Sequence, residues 1–444
     1  MSTQEPSTGS RNQPRYRRPR ALSPLREHLR DTFWFAPTAG LVLVLLLWWA
    51  ASGVDQAVVG LMRADGDYAG IAELIGYADD AKTIITTVSS AMMTFIGVVF
   101  SISLVAVQMA SGQFSPRVVR IFVRSRITKL TFSVFLATFV LSLLVLAAYD
   151  GETDPERVGT VPLVQSVVTM LMVALSLALF IAYVNSTLRL MRVSHVIDRI
   201  SRASLALLKK QEREWDEDVV LGAETARFTH QGRAGVLRDV HIARLVRVAR
   251  RRGAVLRLIP RIGDFVVPGT PVIAVHGGEG VTKKAVRHSV SVGVERTFHQ
   301  DLGFGLRQLA DIALRALSPA VNDPTTAVQA LDRIVQFLAV AVELPLGALR
   351  HRDGEGRVRF VQAVPGWADL VDLGLTEIRG VVAGNPQVSR RMVAGLDDLL
   401  LLAPEERRGV LERHRALLVE VVERTVPDAA DREFALTADR QGIG

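Results

Sequence analysis

Charge is absent from four long stretches of this sequence, and that absence constrains the fold more than any motif does. No Asp, Glu, Lys, Arg or His occurs in 32–54, 83–116, 130–149 or 158–188. A hydrocarbon core about 30 Å thick takes about 20 residues of helix to cross. Each stretch therefore predicts one transmembrane helix, at about 32–54, 83–109, 130–149 and 161–185. The second and fourth exceed one span and continue as helix or loop. Trp34, Trp48, Trp49, Tyr149 and Tyr183 stand at or near the ends, where amphipathic rings favour the headgroup level. About thirty polar residues precede the first stretch, which argues for a retained helix and against a cleaved leader.

Orientation follows from the charges between the stretches, because Lys and Arg stay on the cytoplasmic side. Residues 1–31 hold seven Arg and three acids; 53–82 hold two bases and six acids. Residues 110–129 hold five bases and no acid, and 150–157 hold one base and four acids. The sign alternates throughout, which predicts that both termini are cytoplasmic. The net charge of +8, which alone suits nucleic acid as well as lipid, becomes a charge distribution polarised across a bilayer. The chain then divides into a basic disordered tail (1–31), a four-helix transmembrane domain (32–188), a cytoplasmic helical extension (189–220), an α+β cytoplasmic domain (221–426) and a polar tail (427–444).

The second helix has a polar line. At 100° per residue, Thr83, Thr87, Ser90, Thr94, Gly97, Ser101, Gln108 and Gly112 fall within about 40° of one direction, with Val105 interrupting. Ile85, Val88, Met92, Phe95 and Val99 lie opposite. Hydroxyls and a carboxamide can line a path for a small ion by replacing part of its hydration shell. The same residue types also let transmembrane helices pack closely. Both readings stand, and a symmetric oligomer could use one stripe for both. Proton relays and coupled pumps normally place ionisable groups at membrane depth. The four stretches hold none, so passive conduction, sensing or anchoring is expected. Gln165, Thr169 and Ser176 form a weaker stripe on the fourth helix, read as packing.

Beyond Arg189 the pattern is amphipathic and then mixed. A basic amphipathic helix is expected at 240–252 and strands at 254–259, 264–275 and 289–294, broken by Gly263, Pro268, Gly269 and Pro271. The 263–275 run is similar to the hairpin of small lipoyl- and biotinyl-type barrels, without a lysine to carry such a cofactor, so a small β-barrel-like hairpin segment is expected. Helices follow at about 302–317, 324–342, 367–383, 386–402 and 404–426, with a strand or hairpin at 354–364. Asp323 before Pro324 reads as an N-cap.

Familiar chemical motifs are scarce in the sequence. With no cysteine, disulfide frameworks, thiol catalysis and Cys-ligated metals are excluded. There is no phosphate loop, dinucleotide fingerprint, HExxH or GxSxG. His276, His288 and His299 have no acidic companions at ligand spacing, so no metal and no cofactor are expected. The basic helix carries no recognised reading motif, so no nucleic acid is expected. One dense polar stretch remains: Arg296, Asp301, Arg307, Asp311, Arg315, Asn322 and Asp323. It reads as a structural ladder with an Asx turn, or as a pocket where Arg296 and Arg307 meet a ligand carboxylate or phosphate.

The run FGLRQLADIALRALSPAVNDPTTAVQALD at 304–332, with SISLVAVQMASGQFSPRVVR at 101–120, resembles the bacterial predicted-membrane-protein family catalogued as domain of unknown function 2254. The resemblance extends from the first helix to about residue 426. It implies a polytopic inner-membrane protein with a cytoplasmic domain, and it assigns no activity and no catalytic residue. The expected molecule is thus a polytopic α-helical membrane protein with four transmembrane helices, both termini cytoplasmic, and a C-terminal α+β domain. The leading functional expectation is a homo-oligomeric, channel-like pore in the bacterial plasma membrane with a cytoplasmic assembly or gating domain. The alternatives are a membrane-anchored sensor or scaffold and, third, a membrane-bound enzyme using the polar stretch.

Overall fold

The structure, a computed structural model, describes residues 34–113, 126–149, 154–211 and 221–441. The tail at 1–31, together with Arg117, Arg120 and Arg124 of the second basic segment, lies outside the described residues. Contacts divide the described chain into two compact units. One comprises residues up to Arg202, Leu306–Ala339 and Val371 onward; the other comprises Ala203–Gly305 and Val340–Leu370.

Four apolar helices open the first unit: α1 (Phe35–Ala64), α2 (Tyr68–Gln113), α3 (Arg126–Ala147) and α4 (Leu163–Met191). All four are long and apolar enough to cross a membrane. Helix α3 is central, with 44% of its span buried against 11–17% in the others. Lipid offers no hydrophobic drive between helices, so close packing must hold them. Phe95, Phe135 and Phe180 supply it with ring centroids 5.5–6.4 Å apart. Gly40 does so by bare backbone, since a Cβ there would meet the Ser133 carbonyl oxygen at 3.2 Å. Thr138 Oγ1 and Ser176 Oγ lie 3.0 Å apart between α3 and α4, and Tyr183 donates to the Val99 carbonyl at 3.0 Å.

The acidic segment at 53–82, expected as a connection, is almost wholly helical. α1 runs on to Ala64 and α2 starts at Tyr68, leaving the turn Asp65, Gly66 and Asp67, with Gly66 at φ 74°. The cause is apolar spacing: Val59, Ile71 and Ala78 form a small core with Val158 and Val161, against which Met62, Leu74 and Tyr149 pack. The 46 residues of α2 extend about 69 Å, more than twice the hydrocarbon thickness.

Helix α4 stops at Met191, and Arg192 is extended (φ −80°, ψ 117°) before α5 (Val193–Gln211) resumes. The helical extension is therefore interrupted, not continuous with the span.

The second unit holds the sheets. Strands β1 (Glu224–Thr229), β5 (Pro271–His276), β3 (Val255–Leu258), β8 (Val358–Ala363) and β7 (Ala348–Arg352) form a five-stranded sheet in that order. It is antiparallel except for the β3–β8 pair. Strands β4 (Phe265–Val266), β2 (Gly235–Val240) and β6 (Val290–Gly293) form a second, antiparallel sheet. Helix α6 (Ile242–Arg251) sets Leu245, Val246 and Ala249 into a core shared with Leu237, Leu256, Ile273 and Phe360. The expected barrel-like hairpin does not form among the described residues. The 263–275 run does not pair with itself, because the turn at Pro268 and Gly269 (φ 93°) carries the chain from β4 in one sheet to β5 in the other. No closed barrel occurs among the described residues.

Short helix α7 (Lys283–Arg287) precedes β6. The remaining helices are α8 (Leu302–Ala316), α9 (Pro324–Ala341), α10 (Trp367–Arg379), α11 (Pro386–Leu402), α12 (Glu405–Thr425) and α13 (Ala429–Leu436). The last of these lies in the segment read as a polar tail; Asp428 caps it through the N–H groups of Ala430 and Asp431. In the first unit a Cβ on Gly374 or Gly395 would come within 2.8 or 2.7 Å of Ile334 or Val335, so bare backbone brings α10 and α11 close to α9.

Candidate functional site

Helix α2 presents two different faces. Ile85, Met92 and Val99 are buried and Val88 and Phe95 half-buried, whereas Thr83, Thr87, Ser90, Thr94, Gly97, Ser101 and Gln108 are all exposed. Val105 is exposed with them. A Cβ added to Gly97 would meet nothing within 4 Å. The polar line thus has no partner within the described chain. Two of its hydroxyl protons are used inside the helix: Thr87 donates to the Thr83 carbonyl at 3.1 Å and Ser90 to that of Thr86 at 3.2 Å. At these two positions such back-bonding makes exposure tolerable in a low-dielectric medium and leaves oxygen lone pairs free to accept.

The second candidate cluster separates into parts. In the sheet-containing unit, Arg296 forms a two-armed pair with Asp301, Nε to Oδ2 at 2.7 Å and Nη2 to Oδ1 at 2.8 Å. The pair lies against Gly263 (φ 101°), where a Cβ would fall 2.5 Å from Asp301 Oδ2. Burial pushes the Asp301 carboxyl up, and Arg296 and the backbone N–H groups of Phe304 and Gly303 only partly offset it. In the helical unit, Arg307 donates through Nε to Asp311 at 2.7 Å and through Nη2 to Glu377 at 2.9 Å, with a further Nη1 bond to Glu377. The Glu377 hydrogen bonds raise the Arg307 pKa further and hold Glu377 below the usual carboxylate range. An anionic ligand at either arginine would have to displace a carboxylate.

Asn322 and Asp323 serve the backbone. Asn322 takes the left-handed conformation (φ 47°), which Asn tolerates better than most residues. Asp323 caps α9, accepting from Thr326 N at 3.0 Å and Thr326 Oγ1 at 2.6 Å.

Two arrangements escaped sequence reasoning. Asp55, one residue past the first charge-free stretch, is 2% exposed and accepts the backbone N–H groups of Val164 and Gln165 at the start of α4. His414 on α12 is 1% exposed; its Nε2 is 2.7 Å from Asp372 Oδ1 and its Nδ1 2.9 Å from Arg379 Nη1. Arginine only donates, so Nδ1 must accept and the proton resides on Nε2. Burial lowers the His414 pKa, the Asp372 hydrogen bond partly restores it, and Arg379 lowers it again. Burial alone would raise Asp372, but hydrogen bonds from His414 and Arg413 hold it low. Neither arrangement follows from a local pattern, since the partners lie 109 and 42 residues apart.

The family model described as "Predicted membrane protein (DUF2254)" matches residues 30–398. The chain is similar to an uncharacterized protein of Mycobacterium bovis, at 27% identity over 434 aligned residues covering 93% of this chain and 79% of the relative. An uncharacterized protein of Mycobacterium tuberculosis matches with the same identity and coverage. No solved structure matches the chain.

Proposed function

This chain belongs to the family of predicted membrane proteins whose model spans most of its length, and on that premise we propose that it is one subunit of a homo-oligomeric, passive, channel-like pore. The observation that carries the reading is the exposed line of seven small and polar residues on α2, opposite a face buried against the rest of the bundle. One polar face on a four-helix bundle cannot enclose a water path, whereas copies arranged around an axis can. Free lone pairs of hydroxyl oxygens suit partial replacement of the hydration shell of a small cation. No ionisable side chain lies along the line, which suits passive conduction over coupled transport. In this reading the protein is in the bacterial plasma membrane with both termini cytoplasmic, as the alternating charge of its connecting segments supports. The regions beyond α4 then assemble or gate the pore.

Planar-bilayer recording of purified protein tests the proposal. The parent is expected to conduct, and Thr94→Leu and Ser101→Leu to reduce or abolish the current at unchanged oligomer size. A parent that passes no current at any voltage, pH or membrane tension overturns it.

A further inference from the structure

Many arginines beyond Arg189 pair with carboxylates. Arg227, Arg261, Arg296, Arg359, Arg413 and Arg440 each contact a carboxylate within 3 Å. The surface formed by α6 and α7 carries its cations without such pairs. Arg247, Arg250, Arg251 and Arg252 are exposed along α6 and its C-cap, while Leu245, Val246 and Ala249 hold the opposite face of the helix in the core. Arg244 Nε donates to the Ala285 carbonyl at 3.3 Å and so ties α7 alongside. Helix α7 adds Lys283, Lys284 and Arg287, all exposed, and buries Val286. No acid occurs in 241–263 or in 280–294. None of these seven exposed cations has an ion-pair partner among the described residues. The sequence shows a basic helix; the structure adds a second basic segment some 40 positions away and makes one surface of the two.

We propose that the α6–α7 surface binds anionic phospholipid headgroups. A cluster of Lys and Arg without counter-charges is drawn to an anionic lipid surface by about 1 kcal/mol per residue, and guanidinium groups bond phosphate oxygens in pairs. Four apolar helices of the same chain, each long enough to cross a membrane, tether the unit to a bilayer. Single-stranded nucleic acid would call for stacking platforms, and neither α6 nor α7 contains an aromatic residue. The inference rests on the cytoplasmic placement argued above, because the cytoplasmic leaflet is the anionic one.

Only six lysines occur in the chain, which makes lysine acetylation a direct readout. The full chain is placed in nanodiscs of phosphatidylcholine, with or without phosphatidylglycerol, and phosphatidylglycerol vesicles are added to the neutral discs in a second arm. Acetylation of Lys283 and Lys284 is followed by mass spectrometry against Lys209 and Lys210. We expect roughly threefold or greater slowing when the anionic lipid is present in either arm, reversed at about 0.5 M salt. The slowing should vanish in the Arg247→Gln, Arg250→Gln, Arg251→Gln, Arg287→Gln variant, which keeps both lysines. Equal rates in all lipids overturn the proposal. So does equal protection by inorganic phosphate, or stronger protection by duplex DNA at physiological salt. The discs have no sidedness, so a failure here is separate from a failure of the cytoplasmic placement, which a topology measurement reads independently.

Discussion

Asp55 on α1 caps α4: its Oδ1 accepts the backbone N–H of Val164 at 2.8 Å, and its Oδ2 accepts the next N–H, that of Gln165, at 3.2 Å. The N-cap residue of α4 itself, Pro162, offers no side-chain acceptor. A helix start leaves N–H groups without intrahelical partners and carries partial positive charge. Truncating Asp55 strips both from a buried site. Asp55→Ala is expected to cost about 1–2 kcal/mol or more, and Asp55→Asn, which keeps one acceptor oxygen, to cost less. Denaturant titration in micelles measures both, and equal stability of Asp55→Ala and parent would show that the cap contributes nothing.

His414 predicts a pH dependence with a definite sign. Its folded pKa lies below the ordinary value because it is buried beside Arg379. Between the folded value and the unfolded value near 6.5 the unfolded chain binds more protons, so stability rises with pH across that window. Stability is therefore full above about 6.5 and falls as the pH drops from there toward the lowered folded value. Protonation would also place an N–H against Arg379 in place of an acceptor. Unfolding midpoints measured from neutral to mildly acid pH should show this slope in the parent and a flatter one in His414→Gln. Identical slopes would assign the dependence to other groups.

Gly305 on α8 is set against Ser204 on α5. A Cβ at Gly305 would fall 1.7 Å from Ser204 Oγ and 2.9 Å from Ser204 Cβ, so rotating the hydroxyl alone does not clear it. Gly305→Ala is expected to cost about 1–3 kcal/mol by overpacking, and Ser204→Gly in the same chain to recover part of it. Thermal melts of the two single variants and the double variant form the cycle that isolates the clash; simple additivity would remove it as the cause.

The apolar part of this fold was legible because hydrocarbon imposes a composition. Most of the described part of each charge-free stretch lies on a helix long enough to span, and the helices from Leu302 to Thr425 start and stop close to their Pro, Asp and Gly punctuation. The head of the α1–α2 hairpin was hidden because it mixes acids such as Glu73 and Asp79 with the apolar residues that pack it. Strand β1, Glu-Thr-Ala-Arg-Phe-Thr, is a half-exposed edge strand with no clean alternation. At the polar stretch the residue types were visible but the partners were not. Glu377, which occupies Arg307, lies 70 residues away, and no local rule connects them.

Orientation can be measured without removing any native thiol, because the chain contains no cysteine. A single Gly66→Cys in the α1–α2 turn should react with an impermeant maleimide added to intact cells. A single Gly354→Cys in the β7–β8 turn should react only after lysis. The opposite pattern would invert the orientation drawn from the charge alternation and would remove the anionic leaflet from reach of α6.

The same cysteine-free background tests whether the polar line of α2 meets its own copies. Gly97 is exposed and surrounded by open space, so Gly97→Cys perturbs the protomer little. If α2 lines a symmetric axis, the thiol introduced on one copy faces the same thiol on its neighbours, and oxidation in the membrane closes disulfides where the Cα atoms come within about 7 Å. Thr94→Cys, one turn away on the same line, should behave alike. Leu171→Cys on α4 is a control: Leu171 is 65% exposed, yet the reading leaves it facing lipid. Cross-linked species at positions 94 and 97 with none at 171, resolved by non-reducing electrophoresis, are the expected pattern. Cross-linking at 171 alone would move the interface to α4 and leave the α2 line facing lipid, and with it the proposed pore would fall.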